Sequence, residues 1–241
     1  MKVKNTSILS AVMLGCIASG VHADTNVGGP IFADATWDLA GSPYVLTSSI
    51  VIGVDATLTI EPGVEVRINP NLGISVGSEG FGNGTLVARG TEQDPILITS
   101  NAIDPDVPAP GDWNDILFTP QAEDAEFDGN GDYLSGSILE WVIIEYGGGG
   151  STSTGSVTLN NATPYIVDTE VRLSARTGIR GQDLSVATGL RVERCTFTNN
   201  TPTGQAGGGL YLDGGTNHTI IDCVFTNNST NNNGGGIYII G

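Results

Sequence analysis

A short motif that returns at a fixed interval constrains this chain more than any other feature. Cys195-Thr196-Phe197-Thr198-Asn199-Asn200 comes back as Cys223-Val224-Phe225-Thr226-Asn227-Asn228, 28 residues later. Gly207-Gly208-Gly209-Leu210-Tyr211-Leu212 comes back as Gly234-Gly235-Gly236-Ile237-Tyr238-Ile239, 27 residues later. Carried backward, the pattern places Ile143, Val171, Phe197 and Phe225 at spacings of 28, 26 and 28. Each repeat holds several short alternating strands and too little apolar surface to fold alone. Such units are stable only when neighbours stack on them, which is the logic of a solenoid.

Short strands of the same kind fill the rest of the chain. In Val64-Glu65-Val66-Arg67-Ile68 the apolar side chains take one face and the charged ones the other. Gly, Asn, Asp and Pro separate the strands, and helix patterns are missing beyond the first residues. The repeat is too short for a propeller blade, and a leucine lattice is absent. The connections are also too short for crossover helices. The reading is an all-β chain forming a right-handed single-stranded parallel β-helix over residues 24–241, with coils of roughly 22–28 residues.

Alternation along a strand then assigns faces. Trp141/Thr169/Cys195/Cys223 and Ile143/Val171/Phe197/Phe225 are expected inward. Glu140/Asp168/Arg194/Asp222 and Ile144/Arg172/Thr198/Thr226 are expected outward. Glu193 falls in an inward column, a misfit that predicts a coil shifted in register or distorted there. Asn200 and Asn228 should stack at a turn and bond backbone and each other. Tyr211 and Tyr238 should point outward, because their apolar neighbours need the inside. Stacked Cys195 and Cys223 have side-chain vectors that disfavour a disulfide, so two free thiols are expected.

Residues 1–23 read as an export signal: Lys2 and Lys4, an apolar run from Ile8 to Ala18, and Val21-His22-Ala23 before Asp24. Leu14-Gly15-Cys16 offers a second reading as a lipidation box. Either predicts an extracellular or cell-surface location, with outer-membrane association as one form of it. No later segment is apolar enough to span a bilayer as a helix. Both lysines lie in the leader, so the remainder carries seven arginines against 26 carboxylates, within a formal charge of −17 for the whole chain. That surface repels nucleic acid and suits neutral polymers or calcium. The chain ends on Ile237-Tyr238-Ile239-Ile240-Gly241 without a polar cap, which predicts that the solenoid continues past Gly241.

Ser42-Pro43-Tyr44-Val45, Ala56–Val64, Gly84–Thr91, Asp94–Ser100, Gly111–Ile116 and Ile143–Gly148 together resemble the secreted bacterial right-handed parallel β-helix repeat proteins, over roughly residues 40 to 170. Phe197-Thr198-Asn199-Asn200 with Gly207–Leu210, and Phe225-Thr226-Asn227-Asn228 with Gly235-Gly236-Ile237, resemble the repeats of polymorphic outer-membrane proteins. Gly209 and Gly236 stand where those repeats usually have alanine. The resemblance implies the fold and says little about activity.

Candidate chemistry is sparse. Asp128, Asn130 and Asp132 alternate as oxygen ligands in a calcium loop do, though Tyr133 replaces the turn glycine and a polar insertion loop explains them equally. Arg172, Arg176, Arg180, Arg191 and Arg194 cluster, and guanidinium forks suit uronate carboxylates. Cross-coil pairing, such as Arg194 between Asp168 and Asp222, is the plainer account. Resemblance to pectate lyases would imply an acidic calcium cluster beside a catalytic arginine, for which Arg194, Asp168, Glu170 and Asp222 are the nearest set. The lone His218 after the leader and the missing lysine exclude the hydrolase pattern of Asp, His and Arg-x-Lys. Tyr211, Tyr238, Arg172 and Arg194 are the candidate ligand-binding residues. The expected function is a non-catalytic adhesin or glycan-binding scaffold, acting as a monomer on a polysaccharide or surface glycan and requiring no cofactor. A lyase using Arg and calcium, and a structural spacer, are the alternatives.

Overall fold

A computed structural model describes residues 23–102, 107–151, 154–184 and 189–241. Most of the leader sequence lies outside these residues. The described chain winds through seven coils, each contributing one strand to each of three parallel faces. Face one contains Ala35–Trp37, Ala56–Ile60, Gly84–Arg89, Ile138–Glu140, Tyr165–Val167, Arg191–Glu193 and Thr219–Ile221. Face two contains the first part of Tyr44–Ile52, then Glu65–Ile68, Ile96–Ser100, Val142–Glu145, Glu170–Arg172, Thr196–Thr198 and Val224–Thr226. Face three contains the second part of Tyr44–Ile52, then Ile74–Val76, Ile116–Phe118, Gly155–Asn160, Thr177–Gln182, Leu210–Asp213 and Ile237–Ile240. A parallel strand, Thr25–Ile31, lies along Tyr44–Ile52 at the first coil. A 3-10 turn lies at Leu39–Gly41, and among the described residues no helix is long and apolar enough to cross a membrane.

The parallel β-helix expected from the repeat is therefore present. Its core is made of columns that run through successive coils. On face two, Tyr44, Val66, Ile98, Ile144, Val171, Phe197 and Phe225 share one column. The Phe197 and Phe225 rings stack at 4.8 Å with their planes 6° apart. Beside them Asn200 is fully buried: its Oδ1 accepts from the Ser174 amide at 3.1 Å, and its Nδ2 donates to the Val171 carbonyl at 2.9 Å and to Asn228 Oδ1 at 3.0 Å. The Asn stack is as expected, and it satisfies backbone groups that the turn leaves without ladder partners.

The register of the fourth coil differs from expectation by one residue. Ile143 aligns with Glu170, and Ile144 with Val171. Ile144 is buried in the core, whereas Ile143 points outward. The spacing from Ile144 to Val171 is thus 27, and the paired isoleucines made the one-residue slip invisible in sequence. The inward column is Val142/Thr169/Cys195/Cys223, with the Val142 amide donating to Thr169 Oγ1 at 3.4 Å. Trp141 is not a core residue. It stands at the corner between faces one and two with φ 51, in the row continued by Asp168 (φ 49), Arg194 (φ 52) and Asp222 (φ 53). Glu140 leaves that row and pairs in register with Val167 on face one.

Glu193 is a further correction. Val192 of its strand enters the core and Glu193 points outward, yet it is only 8 % exposed. Arg191 covers it with nitrogens at 2.6 and 2.8 Å, Tyr165 donates its hydroxyl at 3.0 Å, and Arg194 lies at 3.5 Å. Burial came from its partners rather than from a distorted coil. Cys195 and Cys223 are free thiols, as expected.

Candidate functional site

One corner per coil on a left-handed residue has a consequence for the surface. The four corner side chains from Trp141 to Asp222 project outward in a row, one per rung of about 4.8 Å. The backbone of Trp141 is clamped on both sides: its amide donates to Val167 O at 3.3 Å and its carbonyl accepts from the Ile96 amide at 3.0 Å. A rigid corner therefore aims a half-buried indole at solvent.

A cleft of about 310 Å³ opens along this row. Trp141, Pro95, Val142 and Ile143 give it an apolar wall, and Glu92, Asp168, Glu170 and Arg194 a polar rim. Arg194 meets Asp168 with a two-pronged contact, Nε to Oδ1 and Nη2 to Oδ2, both at 2.8 Å. That carboxylate holds the guanidinium proton more tightly than an ordinary arginine does. Arg172 lies outside the cleft lining and bridges Glu145 at 2.7 Å and Glu170 at 3.2 Å. Asp222 occupies the next corner, but Arg194 forms its ion pairs with Asp168 and Glu193. The expected cross-coil pairing is thus real, with Asp168 alone of its two expected partners.

The expected ligand-binding residues separate onto two faces. Arg194 belongs to the cleft and Arg172 to face two beside it. Tyr211 and Tyr238 lie in register on the outside of face three, their rings stacked at 5.8 Å. Leu210 and Leu212, flanking Tyr211, fill the core, which explains the outward tyrosines. Their ring faces are occupied by each other and by the guanidinium of Arg180, whose Cζ lies 3.9 Å from the Tyr211 centroid. This packing leaves Tyr211 only 7 % exposed. Trp141, expected in the core, is half-buried at the corner and lines the cleft; the row of polar residues at its corner was the signal that would have found it.

The Asp128–Asp132 segment forms the turn of a hairpin, Glu126–Phe127 with Tyr133–Ser135, inserted between coils. Asp128 Oδ1 accepts from the amides of Asn130 and Asp132 at 2.8 and 2.9 Å, which lowers its pKa below the usual carboxylate range. That loop is organised by its own backbone. Among the described residues no group of three or more His, Cys, Asp or Glu side chains is arranged to hold a metal ion. Trp113 is fully buried, its Nε1–H donating to Glu145 O at 2.9 Å.

Comparison with known proteins agrees with the architecture. Residues 29–154 match the family described as pectate-lyase like β-helix domain, and residues 121–241 match the family described as right handed β-helix region. A 71-residue stretch, 30% of this chain, is 37% identical to the protein bark beetle of Drosophila melanogaster. That stretch is 2% of the length of the fly protein. No solved structure matches the chain at a significant level. Each of the two family matches spans half of the chain, and the chain belongs to the right-handed parallel β-helix family.

Proposed function

We propose that this protein is a non-catalytic, exported or cell-surface glycan-binding scaffold, and that the Trp141 cleft takes a neutral saccharide. The observation that carries this reading is the half-buried Trp141 wall that lines a cleft of about 310 Å³ together with the Asp168–Arg194 pair. An apolar wall with a few fixed polar groups is the usual composition of a small-ligand site. An aromatic face covers the apolar side of a sugar ring, and carboxylates accept from its hydroxyls. Glu92, Asp168 and Glu170 outnumber Arg194 on the rim, which favours a neutral sugar over a uronate. Arg194 is held protonated by Asp168, which makes it a poor base for the proton abstraction a lyase needs.

The test is a glycan array of neutral and acidic polysaccharides, followed by calorimetry on wild type and Trp141→Ala. Neutral glycans should bind, and the substitution should weaken them about tenfold or more. Binding that survives Trp141→Ala unchanged refutes the cleft. Absence of binding to any glycan favours the spacer, and ultraviolet-absorbing unsaturated uronates released from a polyuronate would make the protein a lyase.

A further inference from the structure

We propose that Cys195 and Cys223 form a two-coordinate site for a soft, singly charged metal ion of the Cu(I) class, held between adjacent coils. The site is independent of the Trp141 cleft. The two residues precede strands that pair in register, Thr196 with Val224, and the Val224 amide donates to Cys195 O at 2.8 Å. Their backbones therefore lie one rung apart, about 4.8 Å. Their thiols take the same orientation. Cys195 donates to Glu193 O at 3.2 Å and Cys223 to Ile221 O at 3.3 Å, in each case the carbonyl two residues back. Thr169, the preceding residue of the column, sends its hydroxyl to Val167 O at 2.9 Å in the same way. Parallel side chains on neighbouring rungs hold their sulfurs at about the rung spacing.

That spacing selects the chemistry. A disulfide needs its sulfurs about 2.05 Å apart, which parallel side chains reach only if the coils move together. Two metal–thiolate bonds of about 2.3 Å in a straight line span about 4.6 Å, close to one rung, and need no such movement. A linear pair of thiolates is the arrangement that Cu(I) and Ag(I) accept, and thiolate is the ligand that soft ions select. Zn(II) asks for four ligands, and among the described residues no group of three or more His, Cys, Asp or Glu is arranged to hold a metal. Each thiol gives its proton to water as its sulfur bonds the ion, so a singly charged ion leaves one negative charge spread over the two sulfurs. Cys195 is 1 % exposed and lies out of reach of competing ligands in water, whereas Cys223 is half-buried and gives the ion its way in.

The experiment is anaerobic titration of the reduced full chain with Cu(I) against a chromophoric Cu(I) chelator, in a Cys16→Ser background that leaves Cys195 and Cys223 as its thiols. One ion per chain should be retained, X-ray absorption should show two sulfur neighbours, and bound Cu(I) should protect Cys223 from alkylation. Cys223→Ser should weaken retention about a hundredfold or more, and so should Cys195→Ser. Cys223 is half-buried, and its replacement keeps the test valid where Cys195→Ser unfolds. Retention no tighter than that of Cys223→Ser overturns the proposal. So does a third sulfur neighbour, retention of Zn(II) as tight as that of Cu(I), or alkylation of Cys223 that Cu(I) does not slow.

Discussion

Replacing Asn200 with alanine tests whether the Asn stack holds adjacent coils together. The substitution removes the acceptor of the Ser174 amide and the donor to the Val171 carbonyl. Ser174, Val171 and Asn200 are all fully buried, so water does not replace the lost partners without opening the turn. An unsatisfied buried polar group costs about 1–3 kcal/mol, so two of them cost about 2–6 kcal/mol. Asn228→Ala removes the donor to Phe197 O and the acceptor that meets Asn200, but Asn228 is half-buried, and solvent can take over part of its role. Its cost should be about half as large. Urea unfolding of both variants measures the difference, and amide exchange at Ser174 reports whether the loss is local to its coil. A cost below about 1 kcal/mol for Asn200→Ala, or equal costs for the two variants, would refute the reasoning.

Two further outcomes follow from the buried ionisable groups. Burial pushes the Asp115 carboxyl above its usual range, with only the Thr158 hydroxyl, at 2.7 Å, holding it down. The folded state therefore keeps its proton more firmly than the unfolded state, and stability falls as pH rises from about 4 through the folded pKa. Asp115→Asn should be more stable than wild type near neutral pH, with the gain vanishing below about pH 4; thermal melts across pH that show no such crossover would contradict this. In the thiol column the neighbouring Cys195 thiol lowers Cys223 to about 7, whereas Cys195 is raised by the neighbouring Cys223 and by burial. Alkylation near neutral pH followed by mass mapping should modify Cys223 first, and equal labelling of the two would contradict the pairing.

The fold was legible because a solenoid repeats its own evidence. The Phe197/Phe225, Asn200/Asn228 and Tyr211/Tyr238 pairs gave periods of 28, 28 and 27, and all three stand in register. The site was harder to read for a local reason. Ile143 and Ile144 are adjacent and both apolar, so alternation alone did not say which enters the core. The slip moved Trp141 inward on paper and hid the aromatic wall of the cleft. Glu193 misled in a second way: sequence shows a charged residue amid apolar columns, but not the Arg191 and Arg194 side chains that cover it on the outside. The hairpin Glu126–Ser135 read as a polar loop, because its two strands are only two and three residues long.

The left-handed corners also bear on how such a surface changes over generations. Trp141, Asp168, Arg194 and Asp222 hold a conformation that costs an ordinary side chain roughly 1 kcal/mol and glycine almost nothing. Glycine at these positions would relieve strain and erase the row. Any other side chain inherits the same anchored backbone and the same outward aim, with no core volume to respect. The corner is thus an interchangeable display: recognition can be rewritten one tooth at a time while the spool beneath it stays wound.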